Sequence, residues 1–233
     1  NGMWIRRLGK FLWEWRKRGR ASPLLAWDFL YKKAEQEEDA LTVIALGPLT
    51  NLALTILKYP QVKDKIKEIV MMGGSASYGN RSAYSEFNIW ADPHSADIVF
   101  RSGIPVKMLG LNVTNESAIP FDQMKRLYQL ESRESKAIRE VFWYYDEYFR
   151  KMNIPGIVIH DAVAVAAAID PEMICWEQCS VKIETEGNLE DGRTLVYHGK
   201  NDKVKVGMGI NRERFIEMCE NMMQYYYKKE RED

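Results

Sequence analysis

The sequence is poor in cysteine and histidine and has no excess of charge of either sign. It contains three residues of each of these types in 233, and 33 basic side chains are matched by 33 acidic ones. The cysteines, Cys175, Cys179 and Cys219, lack the paired spacings of a zinc site or a disulfide framework, so we interpret them as reduced thiols. The balanced charge gives no support for a nucleic-acid partner and favours a small-molecule one.

Long apolar runs are also missing. No run reaches the roughly 20 residues that span a bilayer, and no secretory signal is arranged at the amino terminus. We therefore expect no transmembrane segment and a cytoplasmic location. The first residue is Asn1 rather than Met, so the chain is expected to be processed or to be a fragment. A hydrophobic content of 46% is sufficient for one full core, and we expect residues 1–233 to form a single domain.

Residues 4–20 predict a basic amphipathic helix. Apolar side chains that include Trp4, Phe11 and Trp15 share one helical face, and arginine and lysine surround them. Two interpretations stay open for this segment. It is either a surface helix that packs its apolar stripe on the domain, or a segment that binds a membrane surface or a partner.

Short apolar segments that alternate with helical sequence predict the centre of the fold. Strands are predicted at 42–46, 68–72 and 105–109, and helices at 49–58 and 93–101. Glycines follow the first two strands. This order predicts an α/β fold with a doubly wound, mostly parallel sheet and flanking helices, whose ligand binds at the carboxyl ends of the strands.

The second half of the chain predicts helices first and then antiparallel strands. Helices are predicted at 121–130, 132–152 and 160–169, strands at 179–185, 194–198 and 204–206, and a last helix from Asn211.

Three polar segments follow predicted strands or begin a predicted helix. The loop after Met72 presents Asn80, Glu86 and Asn88, which are side chains of the kind that bind sugar hydroxyls, although such a loop is often only solvated. His160 and Asp161 begin the small-residue helix. They are either an ordinary helix start or a proton donor beside a carboxylate ligand for a hard cation.

The third polar segment is the strand break in ALGPLTN, residues 45–51. Carbonyl groups at such a break have no partner in the strand ladder, and an oxygen-binding cation could use one of them.

Several motifs, taken in order, closely resemble those of the inosine-uridine preferring nucleoside hydrolase family. They are ALGPLTN, then MGG followed by GN, EFN and ADP, and finally IHDAVAV. The resemblance runs from about Ala34 to about Phe215, and EFN and HDAVAV are fairly specific to that family. It implies calcium-assisted hydrolysis of the N-glycosidic bond of purine or pyrimidine ribonucleosides to ribose and a free base. It also implies a homodimer or homotetramer.

The resemblance further implies roles for individual residues. The backbone carbonyl of Leu46 and the carboxylate of Asp161 would be Ca²⁺ ligands, and His160 would help to protonate the leaving base. The residues that would bind the ribosyl group or line its pocket are Met72, Asn80, Glu86, Phe87 and Asn88, with Tyr148 near the base.

The sequence departs from the family at its amino-terminal end. Family members begin with a strand that ends in an aspartate cluster, DTDxGxDD, which supplies the general base and most calcium ligands. This sequence has no such cluster, because Asp28 and the acidic run 35–39 lie in or beside a predicted helix, and the run is typical of a solvated helix end. We therefore expect the first strand of the family sheet to be missing, with residues 1–20 in its place.

Three explanations stay open for this departure: a truncated or mis-assembled gene product, a second chain that completes the site, or a loss of catalysis. The alternative function is a catalytically impaired module that binds nucleosides or ribose or serves in assembly.

Overall fold

A computed structural model describes residues 22–37, 41–130, 132–187, 189–199 and 203–232. The helix predicted at residues 4–20 lies outside these residues. The contacts group the chain into two compact units. The sheet unit comprises Leu24–Ser117 and Val158–Phe215, and the helical unit comprises Ala118–Ile157 and the chain from Ile216. The expectation of one domain over residues 1–233 stays a prediction.

The elements of the sheet unit alternate between strands and helices in its first half. In chain order they are α1 Ala26–Gln36, β1 Leu41–Ala45, α2 Thr50–Lys58, β2 Ile66–Met72, α3 Phe87–Ala91, α4 Pro93–Phe100, β3 Val106–Leu109 and α5 Leu111–Thr114. The helical unit interrupts the unit here with β4 Ile119–Pro120, α6 Phe121–Leu127, α7 Arg133–Lys151 and β5 Gly156–Ile157. The chain continues with α8 His160–Ile169, β6 Ile174–Ile183, β7 Thr194–His198, β8 Val204–Ile210 and α9 Arg212–Glu232.

The six long strands form one sheet in the order β1-β2-β3-β8-β6-β7. The pairs β1–β2, β2–β3 and β3–β8 are parallel, and β6 is antiparallel to both β8 and β7. The predicted α/β fold with a mostly parallel sheet is therefore confirmed. The three last strands pair antiparallel with one another, as predicted, and β8 also pairs parallel with β3 and so joins them to the rest of the sheet.

Helices cover both faces of this sheet. On one face, Leu52 and Ile56 of α2 and Val99 of α4 share a buried cluster with Ile69 and Met71 of β2. The intervening residues of β2 point to the other face, where α8 packs against β1 and β2. Small side chains of α8 that are buried completely allow this helix to approach the strands closely.

The helical unit is built around the long helix α7. The Ser132 hydroxyl accepts a hydrogen bond from the Ser135 backbone N–H at 3.0 Å and so caps the first turn of α7. On α7 the rings of Tyr145 and Phe149 stack with centroids 6.1 Å apart. Strands β4 and β5 pair antiparallel beside this helix.

The three cysteines are free thiols, as predicted: Cys175 is exposed, Cys179 is buried and Cys219 is partly buried. Burial, with a smaller contribution from Glu220, raises the pKa of Cys219 to about 11. Among the helices that the structure describes, none is long and apolar enough to cross a membrane.

Candidate active site

The carboxylate of Glu86 organises the loop that follows β2. It is 2% exposed, and its Oε2 atom accepts hydrogen bonds from the backbone N–H groups of Gly74 at 3.0 Å, Asn88 at 2.9 Å and Ile89 at 3.2 Å. Glu86 thereby caps the first turn of α3 and also ties it to the end of β2. None of the described residues donates to Oε1, so this oxygen is available to another partner.

Two opposing effects act on the Glu86 carboxyl group. Burial raises its pKa, and the negative charge of Asp161 raises it further. The backbone N–H groups of Asn88, Gly74 and Ile89 lower the pKa. Burial has the largest effect, so the pKa lies above its usual value. The contribution of Asp161 is the smallest of these effects. Glu86 follows β2 and Asp161 lies in the first turn of α8, and α8 packs against β2 although 75 residues separate the two carboxylates in the sequence.

Asn88 lies beside the last residue of β2. Its amide nitrogen Nδ2 donates to the backbone carbonyl of Met72 at 3.1 Å and contacts the Met72 sulfur at 3.4 Å. Met72 is buried and Asn88 is partly exposed, so these contacts fix the direction of the Asn88 amide. Met72, Glu86 and Asn88 thus lie together at the carboxyl end of β2.

Asn80 and Phe87 lie at the solvent side of the same loop. The Asn80 side-chain oxygen accepts a hydrogen bond from the Phe87 backbone N–H at 2.9 Å. The Phe87 side chain is exposed, and its ring centroid lies 6.3 Å from that of Trp90. The Asn80 contact joins the loop to the first turn of α3.

His160 and Asp161 form the first turn of α8. The ring nitrogen Nδ1 of His160 lies 2.7 Å from the Thr114 hydroxyl oxygen, which orients the imidazole. Burial lowers the pKa of His160 below its usual value, and it raises the pKa of Asp161. Thr114 ends α5, the short helix that directly follows β3, so the start of α8 lies at the carboxyl ends of the strands.

Leu46 follows the last residue of β1, and its side chain is 39% exposed. Because β1 and β2 are parallel and adjacent, Leu46 lies at the same sheet edge as the loop that Glu86 organises. Tyr148, the residue predicted near the base, belongs to α7 in the helical unit, where its side chain is exposed.

Two residues that support the site were not predicted from the sequence. Thr114 orients His160, and Asn112 joins two loops: its oxygen accepts from the Ala76 backbone N–H at 3.1 Å and its nitrogen donates to the Gly207 carbonyl at 2.8 Å. Their partners are 36 to 95 residues away in the sequence. No local pattern carries such a signal.

A third supporting contact holds the loop from the side of the hairpin. The Ser85 hydroxyl donates to the Asp191 carbonyl at 2.6 Å, and Ser85 forms a β-bridge with Arg193. The residue before Glu86 is thereby attached to the connection between β6 and β7.

A doubly wound sheet with carboxylates, amides and an imidazole at the carboxyl ends of its strands is the arrangement of an α/β protein that binds a small polar ligand. Comparison with known proteins identifies the family. The sequence model of the family described as "Inosine-uridine preferring nucleoside hydrolase" matches residues 8–217, so the chain belongs to this family. The predicted resemblance is confirmed.

Individual relatives agree with this assignment. The chain is 34% identical over 209 residues to the pyrimidine-specific ribonucleoside hydrolase RihA of Shewanella oneidensis. This match covers 87% of this chain and 66% of that protein. It therefore spans just under two thirds of that relative's length.

Solved structures give the same result. The purine-preferring ribonucleoside hydrolase from Gardnerella vaginalis superimposes with a TM-score of 0.83 at 30% identity, covering 91% of this chain and 69% of that chain. The plant nucleoside hydrolase PpNRh1 superimposes with a TM-score of 0.81 at 28% identity, covering 88% of this chain and 68% of that chain.

Proposed function

We propose that this chain provides the ribosyl-binding side of an enzyme that hydrolyses the N-glycosidic bond of ribonucleosides to ribose and a free base. The observation that carries this proposal is the Glu86 carboxylate, which three backbone donors fix at the carboxyl end of β2. These donors bind one oxygen, while the other oxygen receives no donor from the described residues, and the helix that begins with His160 and Asp161 packs against β2. Such a fixed acceptor suits a sugar hydroxyl.

Three neighbouring side chains would complete the binding of the sugar. Asn88 is oriented by Met72, and Asn80 is oriented toward the start of α3, so both amides have fixed directions before a ligand arrives. Fixed directions reduce the entropy that binding costs. Phe87 would cover the sugar with its exposed ring.

Charge around the sugar would favour bond cleavage. The reaction passes through a ribosyl cation with oxocarbenium character, and carboxylate oxygens stabilise positive charge as it develops. Glu86 and Asp161 supply two such groups. Burial raises the pKa of both groups, so a positive charge that develops beside them stabilises their ionised forms.

His160 would act on the departing base, which leaves more easily when it is protonated. Its imidazole is oriented by Thr114 and has a lowered pKa, so the protonated form is a minor species at neutral pH and increases as the pH falls. Tyr148 remains the predicted base-side residue. We assign pyrimidine ribonucleosides as substrates on the strength of the similarity to RihA, and test inosine beside uridine.

The metal of this reaction would be Ca²⁺, with the Asp161 carboxylate and the Leu46 carbonyl as ligands. Both are oxygen donors at one edge of the sheet, which fits the preference of a hard cation. Ca²⁺ takes six to eight oxygen atoms, so these two groups would hold it only together with further donors. When bound, the ion would supply positive charge that orients and activates water.

The test is to incubate the protein with uridine or inosine in the presence of Ca²⁺ and to measure the release of reducing sugar, alongside calorimetry with each nucleoside. Glu86→Gln should lower kcat/KM at least about 100-fold, which is typical for loss of a group that stabilises developing charge. Glu116→Gln is the matched control, because Glu116 is an exposed glutamate of the same unit.

Sugar release that depends on Glu86 would support the proposal. Binding without release would overturn hydrolysis in favour of a catalytically impaired nucleoside-binding module, and absence of both would overturn both functions. Assembly as a homodimer or homotetramer and a cytoplasmic location stay predictions; sedimentation of the purified protein tests the first.

A further inference from the structure

A second group of reactive side chains lies at the opposite end of the sheet from Glu86. Glu177 and Cys179 are two residues apart on β6, and His198 is the direct cross-strand partner of Cys179 on β7. Cys179 also pairs with Val204, the first residue of β8. The group is therefore level with the beginnings of the parallel strands, whereas the candidate active site follows their ends.

The three side chains converge on one point. One ligand atom from each lies within 4.8 Å of the other two, and His198 Nδ1 is 2.7 Å from Glu177 Oε1. Residues i and i+2 of a strand and a direct cross-strand partner share one face of a sheet. The backbone register of β6 and β7 thus places these three side chains on the same face of the sheet.

The surroundings differ across the group. Cys179 is fully buried and belongs to the hydrophobic cluster on the face covered by α2 and α4. Glu177 and His198 have side chains 46% and 67% exposed, so they form the open side. An ion bound here would have an apolar wall behind the sulfur and solvent in front.

The donor set is one that zinc prefers. A sulfur, an imidazole nitrogen and a carboxylate oxygen suit a borderline-soft cation, whereas Ca²⁺ takes oxygen ligands only. Tetrahedral bonds of about 2.0–2.3 Å place ligand atoms roughly 3.3–3.8 Å apart. The three ligand atoms lie within 4.8 Å of one another, and His198 Nδ1 and Glu177 Oε1, which are now 2.7 Å apart, would separate slightly to bind an ion.

We propose that Glu177, Cys179 and His198 form a zinc-binding site, separate from the active site, with water as the fourth ligand. The ion would join β6 to the edge strand β7 and so stabilise the hairpin. The competing account is an exposed histidine–glutamate pair, which adds little to stability and binds no metal.

Metal binding is tested with Zn²⁺ by calorimetry and with Co²⁺ by absorption spectroscopy on the purified chain. We expect one ion per chain and a sulfur-to-cobalt charge-transfer band. His198→Gln and Cys179→Ser should each weaken Zn²⁺ binding at least about 100-fold, beyond the effect of altering an outer-shell group. Cys175→Ser and His94→Gln, which change an exposed cysteine and an exposed histidine outside the group, should bind as the parent does.

Because Cys179 is buried, its serine variant is compared with His198→Gln, which changes an exposed side chain and leaves the core intact. Equal Zn²⁺ affinity of the parent and His198→Gln would overturn the site. A cobalt spectrum without the sulfur band would also overturn it, since the buried thiol would then not be a ligand. Neither readout depends on nucleoside hydrolysis, so this proposal and the proposed function can fail separately.

Discussion

Glu86 Oε2 lies 3.0 Å from the backbone nitrogen of Gly74, and this hydrogen bond closes the loop that begins at the end of β2. Gly74 has a φ of +72°, a conformation that L side chains rarely adopt, so the loop depends on a glycine at one end and a buried carboxylate at the other. The same carboxylate is thus both a structural cap and the candidate ligand group.

Replacement of Glu86 by alanine should destabilise the fold. The substitution leaves the N–H groups of Gly74, Asn88 and Ile89 without their acceptor, and an unsatisfied buried donor costs about 1–3 kcal/mol. We expect Glu86→Ala to lower the free energy of unfolding in urea by about 3 kcal/mol. Glu116→Ala should change it by less than about 0.5 kcal/mol, as is usual at the surface. Similar values for the two variants would contradict the capping role.

The raised pKa of Glu86 makes stability depend on pH. The folded protein holds this proton more tightly than the unfolded chain does, so the stabilising contribution is complete below the unfolded pKa and is lost as the pH rises through the folded pKa. The parent should therefore gain stability in acid relative to Glu86→Gln. Urea midpoints of both proteins across the acidic range measure this, and parallel curves would show that the Glu86 pKa is not raised.

His160 should show the opposite dependence. Burial lowers the pKa of His160, so the folded protein holds this proton less tightly than the unfolded chain does. The contribution of His160 to stability is therefore complete above the unfolded pKa of about 6.5 and is lost as the pH falls through the folded pKa. In metal-free buffer, NMR titration of the ring should give a midpoint below about 6.5. Thr114→Val, which keeps the shape but removes the hydroxyl, should change the chemical shift of Nδ1. An unchanged Nδ1 would mean that Thr114 does not orient the ring.

Gly79 is required by a close approach of two backbone segments. A Cβ atom there would lie 2.3 Å from the Ser85 carbonyl oxygen, and backbone atoms cannot easily move away. Gly79→Ala should therefore cost about 2 kcal/mol of stability, as for other overpacked sites, and weaken nucleoside binding in calorimetry. Gly47→Ala is the control, because a Cβ at Gly47 meets nothing within 4 Å. Equal stability of the two variants would exclude a tight turn at Gly79.

Much of the fold could be predicted because its strands are short apolar runs with clear ends. Glycine or proline follows the runs at β1 and β2, and the helix at His160–Ile169 was predicted with its observed bounds. Strand β6 begins at Ile174, five residues before the predicted start, because a bulge at Cys175 and Trp176 disturbs the alternation of side chains. The parallel pairing of β8 with β3 depends on contacts nearly 100 residues apart, which local patterns do not encode.

For the site, the sequence supplied candidates and the structure supplied their arrangement. The EFN motif indicated a binding loop, but not that the glutamate would be a helix cap with one oxygen fully occupied by backbone donors. The relation of Glu86 to Asp161 also required the folded chain. The spacing of the cysteines predicts no zinc site, and the group proposed to bind zinc, which is built across two strands, leaves no paired-cysteine spacing in the sequence.

The attachment of Ser85 to Asp191 has a practical meaning for engineering. The hairpin connection near Asp191 contacts the loop after β2 through a backbone carbonyl, so a change of its length would shift Glu86 without altering any side chain proposed to bind the nucleoside. A library of variants with different hairpin lengths would therefore change the position of Glu86, while the side chains proposed to bind the nucleoside stayed the same.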